Sequence, residues 1–183
     1  MKVLKKRQAQ VSQGDVFQDV EMVEWVRISG QDVEVSQIIF PLVIVLTQDC
    51  DLAQDYRVRW SRTQTVTQDK KLLSVLVSPL YNAEHVYAGT HLEDIGQSME
   101  PINRTKTPGK NLRQNETPRY HYVDFPENIP IGPSVIDFKH YFSVSIEYLK
   151  KRKGRSFVCK VGELFREDIS QRFASYLSRI GLP

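Results

Sequence analysis

The peptide Thr47-Gln48-Asp49-Cys50-Asp51 brings a hydroxyl, a thiol and two carboxylates together directly after an apolar run. Such groups can act as a nucleophile, as proton donors and acceptors, or as metal ligands. We therefore take four residues as candidate catalytic groups: Thr47, Asp49, Cys50 and Asp51. A structural interpretation competes with this one and carries more weight. In it, an aspartate caps the following turn and Cys50 fills a small buried space.

A nucleophilic cysteine needs a base that lowers its pKa. Four histidines could supply that base, although none belongs to a known cysteine-protease pattern: His85, His91, His121 and His140. The chain contains no CxxC or HxxxH pairing, and the six-residue separation of His85 and His91 matches no common zinc module. We therefore expect no metal and no other cofactor.

Basic residues cluster beside aromatic residues at two places in the chain. One cluster is a compact run: Lys150, Lys151, Arg152 and Lys153. The other joins a cation to two rings: Arg119, Tyr120 and Tyr122. Lysine and arginine attract phosphates while aromatic rings stack on bases, so these residues predict RNA or DNA as a partner. The alternative for the run is a solvated hairpin tip that stays polar and prevents aggregation.

The composition is that of an ordinary globular protein. The chain has 183 residues, of which 40% are hydrophobic and 26% charged, with a net charge of +3. This balance excludes disordered and collagen-like classes and predicts a single domain over residues 1–183. The longest apolar run, residues 38–46, contains Pro41 and is too short for a membrane helix. Two cysteines without a secretory signal predict reduced thiols in the cytoplasm.

Hydrophobic patterning predicts a mainly β fold. Residues 42–46 and 72–77 are apolar without interruption, as in strands buried on both faces. Further strands are predicted at residues 16–28, 33–35, 134–146 and 157–161. Residues 167–180 have helical periodicity, and residues 82–133 are polar and proline-rich. We expect a small, strongly curved sheet or barrel from residues 11–80 and 134–162, with a long loop insertion at 82–133 and one C-terminal helix.

Four segments follow the order of motifs in a known family: residues 13–17, 40–46, 73–80, and 134–138 with 160–164. On these segments the chain resembles the PemK/MazF family, small SH3-like barrels best known as toxin endoribonucleases of toxin–antitoxin systems. The resemblance implies an SH3-like barrel, a toxin–antitoxin or defence-type setting, nucleic acid as substrate or ligand, an antitoxin or other partner protein, and a homodimer.

The chain departs from this family at an important position. Family ribonucleases carry an arginine immediately before the proline of the first buried strand, where it stabilises the scissile phosphate. Phe40 stands there in this sequence and can supply neither a charge nor a proton. The resemblance therefore implies a weak or inactive endoribonuclease. A non-catalytic protein-interaction module is the alternative, and a cysteine-dependent hydrolase is the third interpretation.

Overall fold

A strongly curved antiparallel sheet of eight strands organises the protein, whose computed structural model describes residues 1–60 and 67–179. The strands are β1 (Val3–Leu4), β2 (Asp15–Ser29), β3 (Asp32–Val45), β4 (Val75–Asn82), β5 (Tyr120–Val123), β6 (Ser134–Asp137), β7 (Phe142–Val144) and β8 (Phe157–Val161). Their order in the sheet is β1-β8-β2-β3-β4-β6-β5, and β7 also pairs with β4. The mainly β, strongly curved fold agrees with the sequence prediction.

The apolar run at the end of β3 is buried on both faces, as predicted. The second predicted buried strand, residues 72–77, is only partly correct, because β4 begins at Val75 and Leu73 is exposed. Val43 and Val45 face one hydrophobic cluster, while Ile44 faces a second cluster on the opposite side of the sheet. Alternate residues of a strand point to opposite faces, so a run covered on both sides loses its polar alternation. The strand also continues through Pro41 instead of starting there. This is tolerated because β4 pairs with β3 only over residues 43–45, which leaves an open edge at the proline.

The described residues contain four helices, so the prediction of a single helix is wrong. They are α1 (Asp49–Arg59), α2 (Ala83–Ala88), α3 (Ile146–Ser156) and α4 (Glu163–Leu177). The predicted C-terminal helix, residues 167–180, corresponds to α4 but begins four residues earlier, and residue 180 lies outside the described part. None of the helices seen here has the length and apolar character needed to cross a membrane.

The predicted loop insertion, residues 82–133, is largely folded. It contains α2, two single 3-10 turns (Glu93–Ile95 and Gly109–Asn111) and β5, which pairs with β6. Leu92, Leu112 and Tyr122 from this segment are buried in the main hydrophobic cluster. The segment therefore completes the core, because its scattered apolar residues find partners that are distant in the sequence.

The predicted strand over residues 134–146 is broken in the middle. β6 ends at Asp137, a 3-10 turn covers Phe138–His140, and β7 begins at Phe142. The Asp137 side chain accepts a hydrogen bond from the Lys139 backbone N–H at 3.0 Å, which caps the turn. This break places Asp137 and His140 on one side of the sheet end.

Candidate functional site

The peptide with the candidate catalytic residues lies where β3 ends and α1 begins. The Leu76 N–H donates to Thr47 Oγ1 at 2.7 Å, which ties this peptide to β4. Asp49 accepts from the Gln13 N–H at 3.0 Å and from Arg166 Nη1 at 2.5 Å. Asp49 and Asp51 both occupy the first turn of α1, where carboxylates interact favourably with the helix dipole. Thr47 and Asp49 thus connect β4, α1 and α4.

The Cys50 thiol is exposed, so the idea that it fills a buried space is wrong. Its nearest polar partners are Gln48 Oε1 and Asp51 Oδ1, each 3.6 Å from Sγ. Neither partner is a base of the kind that cysteine hydrolases use. The geometry therefore gives no support to the hydrolase interpretation.

The basic run lies in the middle of α3 and is not a hairpin tip. Lys153 Nζ lies 2.5 Å from Asp15 Oδ2, and both side chains are nearly fully buried. Arg152 donates to Glu21 Oε1 at 2.9 Å, and Lys150 donates to a backbone carbonyl. Lys151 is exposed. Three of the four cations therefore already bind groups of the protein itself.

The second basic–aromatic cluster is divided by the fold. The Arg119 guanidinium lies 4.9 Å from the Tyr120 ring centroid, and both residues line a cavity of about 640 Å³ together with Lys106. We call this cavity the insertion cleft. Tyr122 lies instead in the hydrophobic core, with its backbone N–H donating to Asn115 Oδ1. Two of the three predicted residues are thus brought together.

At one end of the insertion cleft lies a polar cluster that the sequence reasoning missed. Donor atoms of His91, Asp137 and His140 all lie within 4.8 Å of one another. Tyr81 Oη is 3.1 Å from His140 Nδ1, and Arg119 holds the Asp137 carboxylate with contacts of 2.5–3.0 Å. The spacing of Asp137 and His140, three residues apart, was a signal available in the sequence. His91 gave none, because it lies 46 residues before Asp137.

Burial sets the protonation of this cluster. It lowers the pKa of His91 and His140, although the Asp137 charge opposes the shift. Burial and the Asp137 charge both raise the pKa of Tyr81. At neutral pH the two imidazoles are therefore uncharged and the phenol is protonated. Neutral imidazoles can accept a proton or bind a metal ion.

The remaining two histidines do not join this cluster. His85 is exposed on α2. His121 is buried, and burial together with the Arg172 charge lowers its pKa to about 3. Asp168 Oδ2 lies 4.0 Å from His121 Nε2, but a histidine with such a low pKa is neutral, so this contact is not an ion pair at neutral pH.

No protein-family model and no curated protein sequence matches this chain. Similar folds carry unrelated activities, so the function has to follow from the chemistry of the sites. Charged, aromatic and titratable groups meet beside a cavity at the insertion cleft.

Proposed function

We propose that the protein binds single-stranded nucleic acid in the insertion cleft. The observation that carries this proposal is the arrangement of Arg119 over Tyr120 at a cavity of about 640 Å³ that Lys106 also lines. A cavity of this size can hold a drug-sized or nucleotide-sized group. Stacking on an aromatic ring beside cations is how proteins hold single strands without reading base edges.

Each residue has a distinct part in this proposal. Tyr120 offers its ring face to a base, while Lys106 and Arg119 attract the phosphates. Asp137 fixes the Arg119 guanidinium in place before a ligand arrives, which reduces the entropy that binding would cost. Arg119 Nη1 makes no hydrogen bond with the described residues, so it is available to a phosphate oxygen.

The resemblance to PemK/MazF proteins favours RNA over DNA as the first ligand to test. In this proposal the protein is a cytoplasmic SH3-like barrel of that type, acting with an antitoxin or other partner in a toxin–antitoxin or defence-type system. Phe40, at the position of the family arginine, is buried against Phe142 with ring centroids 5.2 Å apart. It is part of the core, so we expect RNA binding with slow or absent cleavage.

The test is fluorescence anisotropy with a labelled ten-nucleotide RNA in EDTA at several salt concentrations. We expect Lys106→Gln to weaken binding and to lower the log–log salt slope by about 0.7, the share of one phosphate contact on a single strand. Tyr120→Leu should weaken binding by about 1–3 kcal/mol with an unchanged slope, because stacking releases no counterions.

Lys110→Gln is the matched control, because Lys110 is exposed in the same segment but does not line the cleft. It should leave both affinity and slope nearly unchanged. Loss of binding in Lys110→Gln equal to that in Lys106→Gln would show that the cleft is not the binding site. A chain without affinity for RNA or DNA at low salt would refute the proposal.

A second candidate function, self-association, is favoured by a different surface. Residues 21–39 of β2 and β3 form a two-stranded ribbon in which Val26 pairs with Val35 and Ile28 with Val33. One face of the ribbon carries six aliphatic side chains that are each 50–73% exposed: Val23, Val26, Ile28, Val33, Val35 and Ile39. We call it the apolar ribbon face. Contiguous apolar surface of this kind marks interaction sites.

The opposite face of the ribbon carries the exposed Trp25 together with polar side chains that pair within the chain. Arg27 lies 3.8 Å from Glu34, and Ser36 donates to Glu24 at 2.8 Å. An isolated two-stranded ribbon is marginally stable in water. The six side chains carry no charge that would select a charged partner, and an uncharged flat face can pack on its own copy about a twofold axis. We infer that the occupant of the apolar ribbon face is a second copy of this chain.

Sedimentation velocity at micromolar concentration tests the dimer. Val35→Lys places a charge in the centre of the apolar ribbon face and should give monomers. Asp32→Lys places the same charge on the opposite face and should leave the dimer intact. A wild-type chain that remains monomeric, or a dimer that tolerates Val35→Lys, would rule out this interface.

A further inference from the structure

We propose that His91, Asp137 and His140 bind a divalent transition-metal ion, with Zn²⁺ as the representative case. The site is next to the insertion cleft, which His91 lines. Metal binding at this site goes beyond nucleic-acid binding and does not depend on whether the cleft holds a nucleic acid.

Convergence of two segments that are distant in the sequence is the first observation. His91 follows α2, Asp137 ends β6, and His140 closes the 3-10 turn after it, yet their donor atoms lie within 4.8 Å of one another. Ligand atoms about 2.0–2.2 Å from a tetrahedral Zn²⁺ lie roughly 3.3 Å apart. Side-chain movements of about 1 Å would therefore close the cluster around an ion.

The second observation is independent and concerns His91. Both of its ring nitrogens are buried, and neither makes a hydrogen bond of good geometry with the described residues, although the His85 backbone lies nearby. Buried polar atoms almost always have a partner, because burial without one costs free energy. A metal ion would satisfy one of these nitrogens and would account for a ring held in this position.

The surroundings of the cluster resemble the outer shell of a metal site. The Asp137 carboxylate is fixed by Arg119 and by the Lys139 N–H. The Tyr81 hydroxyl contacts His140 Nδ1 at 3.1 Å and can orient that ring. Ligating groups in proteins are commonly oriented by such partners. The positive charge of Arg119 offsets the negative charge of Asp137, which weakens the attraction of the site for a cation.

The donor set indicates the class of metal. Two imidazoles and one carboxylate suit Zn²⁺, Fe²⁺, Co²⁺ or Mn²⁺, whereas Mg²⁺ and Ca²⁺ prefer sites made of oxygen alone. Three protein donors also leave room for water or a ligand on the ion, as in catalytic sites and unlike closed structural sites.

The experiment uses the untagged full chain, stripped with EDTA and dialysed. Zn²⁺ alone is titrated by calorimetry, and Co²⁺ alone is followed by visible absorption. We expect one ion per chain and no displacement by millimolar Mg²⁺. His91→Gln and His140→Gln should each weaken binding at least about 100-fold, since even loss of an outer-shell partner costs 10–100-fold.

His85→Gln is the matched control, since His85 is an exposed histidine six residues before His91. It should bind Zn²⁺ like the wild type. Thermal unfolding by circular dichroism checks folding: Zn²⁺ should raise the Tm of the wild type and of His85→Gln but not that of His91→Gln.

Two results would overturn the site: absence of saturable binding to the wild type, or equal loss of binding in His85→Gln and His91→Gln. Because the RNA measurement above is made in EDTA, it separates this site from the proposed function. RNA binding without metal binding would reject only the metal site, and metal binding without RNA binding would reject only the proposed function.

Discussion

Replacing Lys153 with methionine tests whether the basic run of α3 serves mainly as structure. Lys153 Nζ lies 2.5 Å from Asp15 Oδ2, in a place where Lys153 is 3% exposed and Asp15 is 1% exposed. Lys153 also donates to the Gln10 carbonyl and lies 5.2 Å from the Phe157 ring centroid. Methionine keeps most of the aliphatic stem and removes only the charge and its hydrogen bonds.

The expected cost follows from the burial of Asp15. Removing one partner of a buried ion pair leaves an uncompensated charge and typically costs about 3–5 kcal/mol. That is a large part of the 5–15 kcal/mol by which ordinary domains are stable. Asp15 keeps one hydrogen bond, from the Ser12 N–H at 2.9 Å, which does not neutralise it. The double variant Asp15→Asn/Lys153→Met removes both charges and should be more stable than Lys153→Met alone.

Urea unfolding followed by circular dichroism measures these differences. Lys151→Met is the control, because Lys151 is exposed in the same run and should change the free energy of unfolding by less than about 0.5 kcal/mol. A cost below about 1 kcal/mol for Lys153→Met would refute the reasoning. Neutralising all four cations of the run together would therefore lower the stability of the fold. Only Lys151 is suited to a test of nucleic-acid binding by α3.

The pH dependence gives a second check on Lys153→Met. Burial raises the pKa of Asp15, while the Lys153 charge is the largest influence that lowers it. Methionine removes that influence, so the folded-state pKa of Asp15 rises further. A group with a raised folded pKa loses stability as pH rises through that value. The difference in the free energy of unfolding between variant and wild type should thus be largest at pH 8 and should shrink at acid pH, as Asp15 becomes protonated in the folded state of both proteins.

Three further predictions concern burial. The pKa of His121 is about 3, below the usual value of 6.5. The stability that the neutral ring contributes is therefore fully present above pH 6.5 and is lost as the pH falls towards 3. The free energy of unfolding should fall by at most about 1.4 kcal/mol per pH unit in this range. Urea titrations should show this acid loss reduced in His121→Phe. Val43→Ala should cost about 1–3 kcal/mol, whereas Leu73→Ala, at an exposed position, should be nearly neutral. Iodoacetamide should modify Cys50 in the folded protein and spare Cys159, whose pKa burial raises to about 12; equal labelling in mass spectrometry would contradict the buried position.

Patterns that are local in the chain predicted much of the sheet. The uninterrupted apolar run before Thr47 predicted the buried end of β3, and residues 157–161 coincide with β8. The neighbours Arg119 and Tyr120 also remained together at a cavity. Such features follow from side-chain periodicity and from adjacency, which the sequence contains directly.

The helix α3 shows where local patterns misled. Ile146, Leu149 and Lys153 are spaced for one buried helical face, but the run of charges was interpreted as a nucleic-acid site or, alternatively, as a solvated hairpin tip. A lysine is buried only when a partner compensates its charge. That partner, Asp15, lies 138 residues away, so only the tertiary structure could show that Lys153 belongs to the core.

The proposed metal site depends on tertiary structure in the same way. The sequence by itself determined a mainly β protein with a C-terminal helix, and it determined which residues could do chemistry. Only the fold decided which of them meet. His91 reaches Asp137 and His140 because α2 and the break after β6 lie at the same end of the sheet. Among the described residues, the same fold brings no histidine into hydrogen-bond contact with Cys50. Residue types and spacing alone do not give the burial of a side chain or the distance between remote segments.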